Sequence, residues 1–480
     1  MRRRVLGWLG WAGTDTVGRL ALLTASTAVC SRLLTPRDFG IAALVLTVVA
    51  LGSVMVGAPF EEALAQRSVL RRPHLRAALT GSWLIGLVLV AASIPAGWLL
   101  ARLYHEPQIT TLLPVAMCSV FFSGHSDVMT GLARRLRRFS DVSAATLFGH
   151  LIGIPISVVM AMTGFGLWAL IAQRLLVVII RAAVLQWRID IIILPQLSLK
   201  NLSGMGRYGT VTLLDRLFDS MTYVAFNNLV GAFYGLTTLG YVNVAMRLIE
   251  PIRGAIGATS HNLAFSWFAA VQNDRSRLLR RTSELVSLAS LAIVPIFVGL
   301  AAVMPTLLPL VSGPGWDESV KIAVCLGIGS AIAVPSQLIY SAFSATARPE
   351  FSLVANCVAF AGTLAVLVCT VSLGPISVGL SRIAGDVLQA AIAIGVSPRN
   401  FGWSCRDRFL ALAPAWGLAI VMGGLVGLLG VVPPILDRSL TLAVLVIFGV
   451  ATYAVLLFAF ARSDLVRMIA VWPARRANNS

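Results

Sequence analysis

Residues 41–60 read IAALVLTVVALGSVMVGAPF, a stretch of twenty residues without a charged side chain. A helix that crosses the hydrocarbon core of a bilayer needs about 20 such residues, because it rises ~1.5 Å per residue through a layer ~30 Å thick. Glu61 and Glu62 follow at once, and arginines stand at positions 67, 71, 72 and 76. The stretch therefore predicts a transmembrane helix whose carboxyl end lies in water.

The composition of the whole chain resembles that of this stretch. Of 480 residues, 58% are hydrophobic and only 12% are charged, whereas a soluble domain carries about 25% charged residues. Apolar stretches of spanning length recur about fourteen times along the chain. We predict an all-α polytopic membrane protein with about 14 transmembrane helices. No loop between them is long enough for a soluble catalytic domain, so we expect a transporter and no enzyme.

Positive charges support this helix count. The net charge is +18, and nearly all of it is arginine, concentrated in every second interhelical segment. Because basic residues stay on the cytoplasmic side, this alternation predicts an even number of helices with the N- and C-termini in the cytoplasm. The basic residues lie between apolar spans, which favours contact with anionic membrane lipids and excludes nucleic acid as the expected partner.

The chain contains an internal repeat. At shifts that begin at 200 residues and drift to 212, similar residues recur in the same order. An even number of spans separates the copies, so the copies have the same orientation across the membrane. We predict two parallel-repeat six-helix lobes around a central cavity, plus two C-terminal helices. The predicted boundaries are 1–190 for the N-lobe, 191–207 for a cytoplasmic linker, 208–397 for the C-lobe and 398–480 for the last two helices with a cytoplasmic tail.

Ionisable residues inside the predicted spans are concentrated in spans one, seven and eight. A charge at the bilayer centre costs ~2.5–3.5 kcal/mol on insertion scales, so such groups normally face water or a partner. One hypothesis is an arginine-lined cavity that binds an anionic substrate through guanidinium groups. The alternative is that these charges neutralise each other and hold helices together. The residues concerned are Asp15, Arg19, Asp215, Arg216, Asp219, Arg247, Glu250 and Arg253.

Charges elsewhere in the spans are less informative. Arg382 and Asp386 are four residues apart on one helix, which favours a structural ion pair. Arg181 lies close enough to the inner interface to extend its guanidinium to water, so Arg174 is the more interesting residue of that span. His125 and Asp127 are isolated polar residues in span four. The six cysteines form no spacing typical of a metal site, and we expect neither a metal nor an organic cofactor.

Several segments resemble bacterial oligosaccharide flippases, the Wzx-like polysaccharide transporters of the multidrug/oligosaccharidyl-lipid/polysaccharide exporter superfamily. Each segment is a loose match, but together they keep the order and spacing of that family between about residues 15 and 400. The segments are SRLLTPRDFG (31–40), AQR (65–67) with Arg71 and Arg72, GFGLWALIAQR (164–174), GYVNVAMRL (240–248), and FAAVQND (268–274) with the arginines between 277 and 281.

The resemblance implies two six-helix lobes around a central cavity. It also implies an undecaprenyl-pyrophosphate-linked oligosaccharide as the substrate, moved to the outer leaflet by alternating access for exopolysaccharide, capsule or O-antigen (lipopolysaccharide) biosynthesis. The cavity arginines of the family correspond loosely to Arg19, Arg216, Arg247 and Arg253, as contacts of the pyrophosphate. Asp15, Asp215, Asp219 and Glu250 are candidates for coupling to H⁺ or Na⁺. A polysaccharide polymerase and assembly proteins are the expected protein partners.

Two other functions fit parts of the sequence. A cation-coupled multidrug exporter of the same superfamily would need an acidic cavity, and span eight instead carries two arginines against one glutamate. A membrane enzyme such as a polysaccharide polymerase would need a sizeable outer loop, and the acidic outer loop at Asp317 and Glu318 is short. The sequence therefore favours the flippase.

Overall fold

The computed structural model describes residues 2–66, 70–191, 199–269, 275–345, 350–401, 405–431 and 437–461. Every regular element in these ranges is helical, as predicted. The α-helices are α1 (Arg2–Leu33), α2 (Pro36–Gln66), α3 (Arg72–Tyr104), α4 (Ile109–Arg135), α5 (Phe139–Met162), α6 (Trp168–Ile189), α7 (Leu199–Ala269), α8 (Arg275–Ser312), α9 (Asp317–Ala345), α10 (Glu350–Cys369), α11 (Ile376–Phe401), α12 (Cys405–Val431) and α13 (Arg438–Phe460), with a short 3₁₀ helix at Val371–Leu373.

Twelve helices in the described part of the chain are long and apolar enough to cross a membrane. α7 counts once among them although it contains two predicted spans, because the chain continues through a single non-helical residue, Gly235, instead of an open turn. Gly235 has φ +82°, which only glycine adopts without strain. α1, which begins at Arg2, is outside the twelve. The predicted number of fourteen spans stays a prediction.

The chain forms two compact units, Met1–Val244 and Ala245–Ser480. In the first unit, α4 packs against α3 and α6, and α5 packs against α6. In the second unit, α9 packs in the same way against α8 and α11, and α10 packs against α11. The order of helix pairs therefore recurs, in agreement with an internal repeat. The boundaries at 190, 207 and 397 remain predictions.

The two units have separate apolar cores. In the first unit, the inner parts of α2, α3, α4 and α6 meet around Leu64, Leu79, Met129 and Leu185. In the second unit, α8, α9 and α12 meet around Phe297 and its neighbours. The most apolar window of α9 is 78% buried and that of α13 is 11% buried. α9 is therefore a central helix of its unit. The apolar surface of α13 is exposed, as expected of a helix that contacts lipid.

A reciprocal contact between α2 and α7 lies within the first unit. A Cβ atom added to Gly40 would overlap the carbonyl oxygen of Leu236, and one added to Gly240 would overlap the carbonyl oxygen of Pro36. Both the glycines and their partners are 200 residues apart, the shift at which the sequence repeats. The start of α2 and the part of α7 after Gly235 therefore meet through equivalent surfaces.

We predict that Gly240→Ala destabilises the protein by ~1–3 kcal/mol, because a backbone carbonyl has to move to admit the methyl group. Gly254→Ala is the matched control, since Gly254 lies in the same helix and an added Cβ meets no atom within 4 Å. There, alanine favours the helix. Thermal unfolding of the purified proteins in detergent compares the two, and equal melting temperatures would contradict the close contact.

Candidate functional site

The structure describes the side chains of five of the eight predicted site residues. Arg19 on α1 and Arg216 on α7 lie half-buried in the first unit. Arg247, Glu250 and Arg253 lie half-buried on α7 in the second unit. The side chains of the other three lie outside the described residues; these are Asp15, Asp215 and Asp219.

Arg253 is held by a carboxylate of a neighbouring helix. Its Nη1 donates to Oδ2 of Asp386 on α11 at 3.2 Å, and its Nη2 donates to Oδ1 at 2.8 Å. The two side chains are 13% and 8% exposed. Two parallel bonds between a guanidinium and a carboxylate form a strong and directional pair. The pair therefore joins α7 to α11.

A second pair joins the same two helices. Nη2 of Arg382 on α11 lies 3.4 Å from Oε1 of Glu250 on α7. The sequence suggested a pair between Arg382 and Asp386 along α11, whereas the structure pairs each of them with a residue of α7. Residues four apart on a helix share one face, and that face of α11 meets the charged face of α7. Two positive and two negative charges therefore neutralise one another in this interface.

The first unit contains a charged cluster that the sequence did not predict. Nη2 of Arg181 on α6 donates to Oγ1 of Thr130 on α4 at 3.1 Å, and its Nη1 lies 3.8 Å from Oδ1 of Asp127. Arg181 was expected to extend to the membrane interface. The structure instead places it beside Asp127, which is only 19% exposed and supplies the opposite charge that an ionised group in a membrane needs.

Two further arginines belong to this cluster. Nη2 of Arg174 on α6 donates to Oγ of Ser53 on α2 at 3.3 Å. The charges of Arg174, Arg181 and Arg216 all act on the carboxylate of Asp127. The carboxylate of Glu61 acts on Asp127 as well. The described part of this cluster therefore combines three guanidinium groups with two carboxylates, and guanidinium groups suit an anion.

A large apolar groove lies in the second unit. Its cavity has a volume of about 530 Å³ and is almost wholly apolar. Side chains of α8, α12 and α13 form most of its wall, including Pro295, Val303, Met422, Leu445 and Tyr453. A groove of this kind favours a hydrocarbon chain, since each buried methylene contributes ~0.8 kcal/mol.

The sequence offered only indirect information on the first-unit cluster. Asp127 and Arg181 are isolated in sequence, and their helices, α4 and α6, come together only through packing. The one pattern that could have found them is the pair of arginines seven residues apart on α6, which puts both on one helix face. Within the described residues, no three histidine, cysteine or acidic side chains are grouped so as to hold a metal ion.

A family model described as "Polysaccharide biosynthesis protein" matches residues 29–321. The chain is 20% identical over 327 residues to the succinoglycan biosynthesis transport protein ExoT of Rhizobium meliloti (strain 1021), covering 68% of this chain and 66% of ExoT. It is 21% identical over 367 residues to the lipopolysaccharide biosynthesis protein WzxC of Escherichia coli (strain K12), covering 74% of this chain and 73% of WzxC.

Two groups of solved structures share the fold. The lipid II flippase MurJ in an inward closed conformation superposes with a TM-score of 0.77 at 14% identity, covering 95% of this chain and 99% of MurJ. An inward-facing multidrug resistance MATE family transporter of the MOP superfamily gives 0.58 at 16% identity, covering 83% of this chain and 99% of the transporter. At these identities the likeness concerns the fold, and it confirms the all-helical architecture of a multi-pass membrane protein.

We predict that Asp386→Asn destabilises the protein by ~3–5 kcal/mol, because Arg253 is left in the membrane without its counter-charge. The double variant Arg253→Met with Asp386→Leu should recover most of the loss, since both charges are removed together. Thermal unfolding in detergent measures both.

Glu318→Gln is the control. Glu318 pairs with Lys321 at 2.6 Å, but both side chains are substantially exposed, and such a pair contributes at most ~1 kcal/mol. An Asp386→Asn variant as stable as Glu318→Gln would show that the buried pair does not hold α7 and α11 together.

Proposed function

The chain belongs to the polysaccharide biosynthesis protein family, and we propose that it is a flippase that carries a lipid-linked oligosaccharide across the membrane. The observation that supports this most directly is the combination of two opposite environments. In the first unit, three arginines act on the carboxylate of Asp127, and guanidinium groups suit a phosphate. The second unit has an apolar groove of about 530 Å³, and such a surface suits a hydrocarbon tail.

The proposed substrate is an oligosaccharide linked through pyrophosphate to undecaprenol. Its polyprenyl tail would stay in an apolar environment, its pyrophosphate would meet guanidinium groups, and its sugars would pass through a hydrated centre. Guanidinium is suited to this task because it stays charged at any physiological pH and binds phosphate oxygens in pairs. Movement between an inward-open and an outward-open state would carry the headgroup across.

The residue assignments made from the sequence become part of this proposal. Arg19, Arg216 and Arg247 are candidate contacts of the pyrophosphate, and Arg253 would have to exchange Asp386 for a phosphate oxygen. The candidates for coupling to H⁺ or Na⁺ are Asp15, Asp215, Asp219 and Glu250. The similarity to ExoT, which is named as a transport protein, supports transport over catalysis. The arginine surplus argues against a drug cation as the substrate.

Deletion of the gene from its host tests the function. We expect surface polysaccharide to disappear and the lipid-linked oligosaccharide to accumulate on the inner leaflet, because synthesis continues while translocation stops. Extraction and mass spectrometry of the lipid fraction measure the accumulation. A deletion strain that keeps its polysaccharide and becomes sensitive to cationic drugs would instead support the multidrug exporter.

The location is proposed as the bacterial inner membrane, with both termini in the cytoplasm. Green fluorescent protein fused after residue 480 should fluoresce, because it folds in the cytoplasm. Alkaline phosphatase fused at the same position should be inactive, since it needs the oxidising periplasm to form its disulfides. The opposite pair of results would place the C-terminus outside and contradict the proposed topology.

A further inference from the structure

Helices α6 and α11 begin in the same way. Gly166 and Gly374 have positive φ angles of 54° and 72°, and each helix begins two residues after its glycine. An arginine follows each glycine by eight residues: Arg174 on α6 and Arg382 on α11. The two arginines therefore occupy equivalent positions in the two repeats.

The partners of these arginines can be matched in the same way. The reciprocal contact of Gly40 and Gly240 aligns α2 with the second part of α7 at a shift of 200 residues. Positions 250 and 253 of α7 therefore correspond to Ala50 and Ser53 of α2. Arg174 contacts Ser53 on α2 in the first unit, and Arg382 contacts Glu250 on α7 in the second unit. Each arginine therefore contacts the equivalent helix of its own repeat.

The second repeat neutralises its own charges at these positions. Arg382 contacts Glu250, and Arg253 contacts Asp386. In each of these two pairs, the guanidinium group and the carboxylate lie on different helices. This is the arrangement expected where charges serve to hold helices together inside a membrane.

The first repeat keeps only one of the four charges. Ala50 stands at the position of Glu250, Ser53 at that of Arg253, and Val178 on α6 at that of Asp386. Arg174 donates its hydrogen bond to the neutral hydroxyl of Ser53, and among the described residues it forms no ion pair. One guanidinium remains where the second repeat has a closed network of four.

Such an arginine is costly unless an anion accompanies it. A guanidinium in the membrane interior costs ~2.5–3.5 kcal/mol on insertion scales, and a hydroxyl dipole cannot cancel a full charge. The charge of Asp127 acts on Arg174, but the ion pair of Asp127 among the described residues is with Arg181 at 3.8 Å. The missing counter-charge at Arg174 is therefore one that a ligand can supply.

We propose that Arg174, positioned by Ser53, binds a phosphate oxygen of the transported lipid diphosphate. This inference rests on the proposed function and adds a residue of α6 to the pyrophosphate site. The second repeat uses the same position to join α7 to α11, whereas in the first repeat the guanidinium group bonds only a neutral hydroxyl among the described residues. Equivalent positions thus serve binding in the first repeat and helix packing in the second.

The sharpest test gives the first repeat the carboxylate that it lacks. Ala50→Glu places an acidic group at the position of Glu250, where it can pair with Arg174 and exclude the phosphate. Ala50→Gln has the same size without the charge and is the matched control. Binding of undecaprenyl pyrophosphate to the purified full chain in phosphatidylcholine nanodiscs is measured by tryptophan fluorescence. We expect Ala50→Glu to weaken binding roughly tenfold or more, the loss of a charged hydrogen bond, and Ala50→Gln by less than about threefold.

Two substitutions of the arginine complete the test. Arg174→Gln should lose affinity to the same degree as Ala50→Glu. Arg174→Lys should retain part of it, because an ammonium keeps the charge but not the paired geometry. Size-exclusion chromatography establishes that each variant is folded. Wild-type affinity in folded Ala50→Glu and Arg174→Gln would overturn the role of Arg174.

Competition separates the sources of the phosphate. Inorganic pyrophosphate should compete weakly with undecaprenyl pyrophosphate, and added phosphatidylglycerol should compete weakly as well. Displacement by phosphatidylglycerol at equal concentration would assign Arg174 to a resident phospholipid and overturn the proposal. If the wild-type chain itself fails to bind undecaprenyl pyrophosphate, the proposed function fails, whereas wild-type binding with equal binding by Ala50→Glu rejects only the role of Arg174.

Discussion

A charged group inside a bilayer has to be accompanied by an opposite charge or by water, because hydrocarbon does not solvate ions. The second unit meets this requirement internally, where Asp386 binds Arg253 through two hydrogen bonds and Glu250 accompanies Arg382. In the first unit, Arg174, Arg181 and Arg216 act on the carboxylate of Asp127, and Arg174 donates to the neutral hydroxyl of Ser53. The two units therefore surround their buried arginines with different partners.

The internal repeat explains why this difference is informative. The two copies pair their helices in the same order, and their equivalent glycines meet at the contact of Gly40 with Gly240. With the backbone positions alike, a change of side chain at an equivalent position changes the electrostatics and leaves the architecture in place. The replacement of Glu250 by Ala50 and of Asp386 by Val178 is of this kind.

The apolar groove and the charged cluster each suit one part of an amphiphile. Hydrocarbon gains free energy from a dry apolar groove, and a phosphate gains it from guanidinium groups in a medium of low dielectric constant. The family to which the chain belongs is described by polysaccharide biosynthesis, which is compatible with the proposed lipid-linked oligosaccharide. The shared fold of MurJ and a MATE family transporter shows that one architecture accommodates different substrates, so the distribution of charge has to specify the ligand.

The sequence by itself determined that this protein lies in a membrane, that it is helical and that it contains an internal repeat. These follow from apolar stretches of spanning length and from residues that recur at a nearly constant shift, both of which are local or periodic properties. It also identified Arg247, Glu250 and Arg253 as a charged face of one helix. Only the tertiary structure decided the partners, because Asp386 and Asp127 reach their arginines across helices that are far apart in sequence. Periodicity places a residue on a face of its own helix, but the packing of helices decides which face it meets.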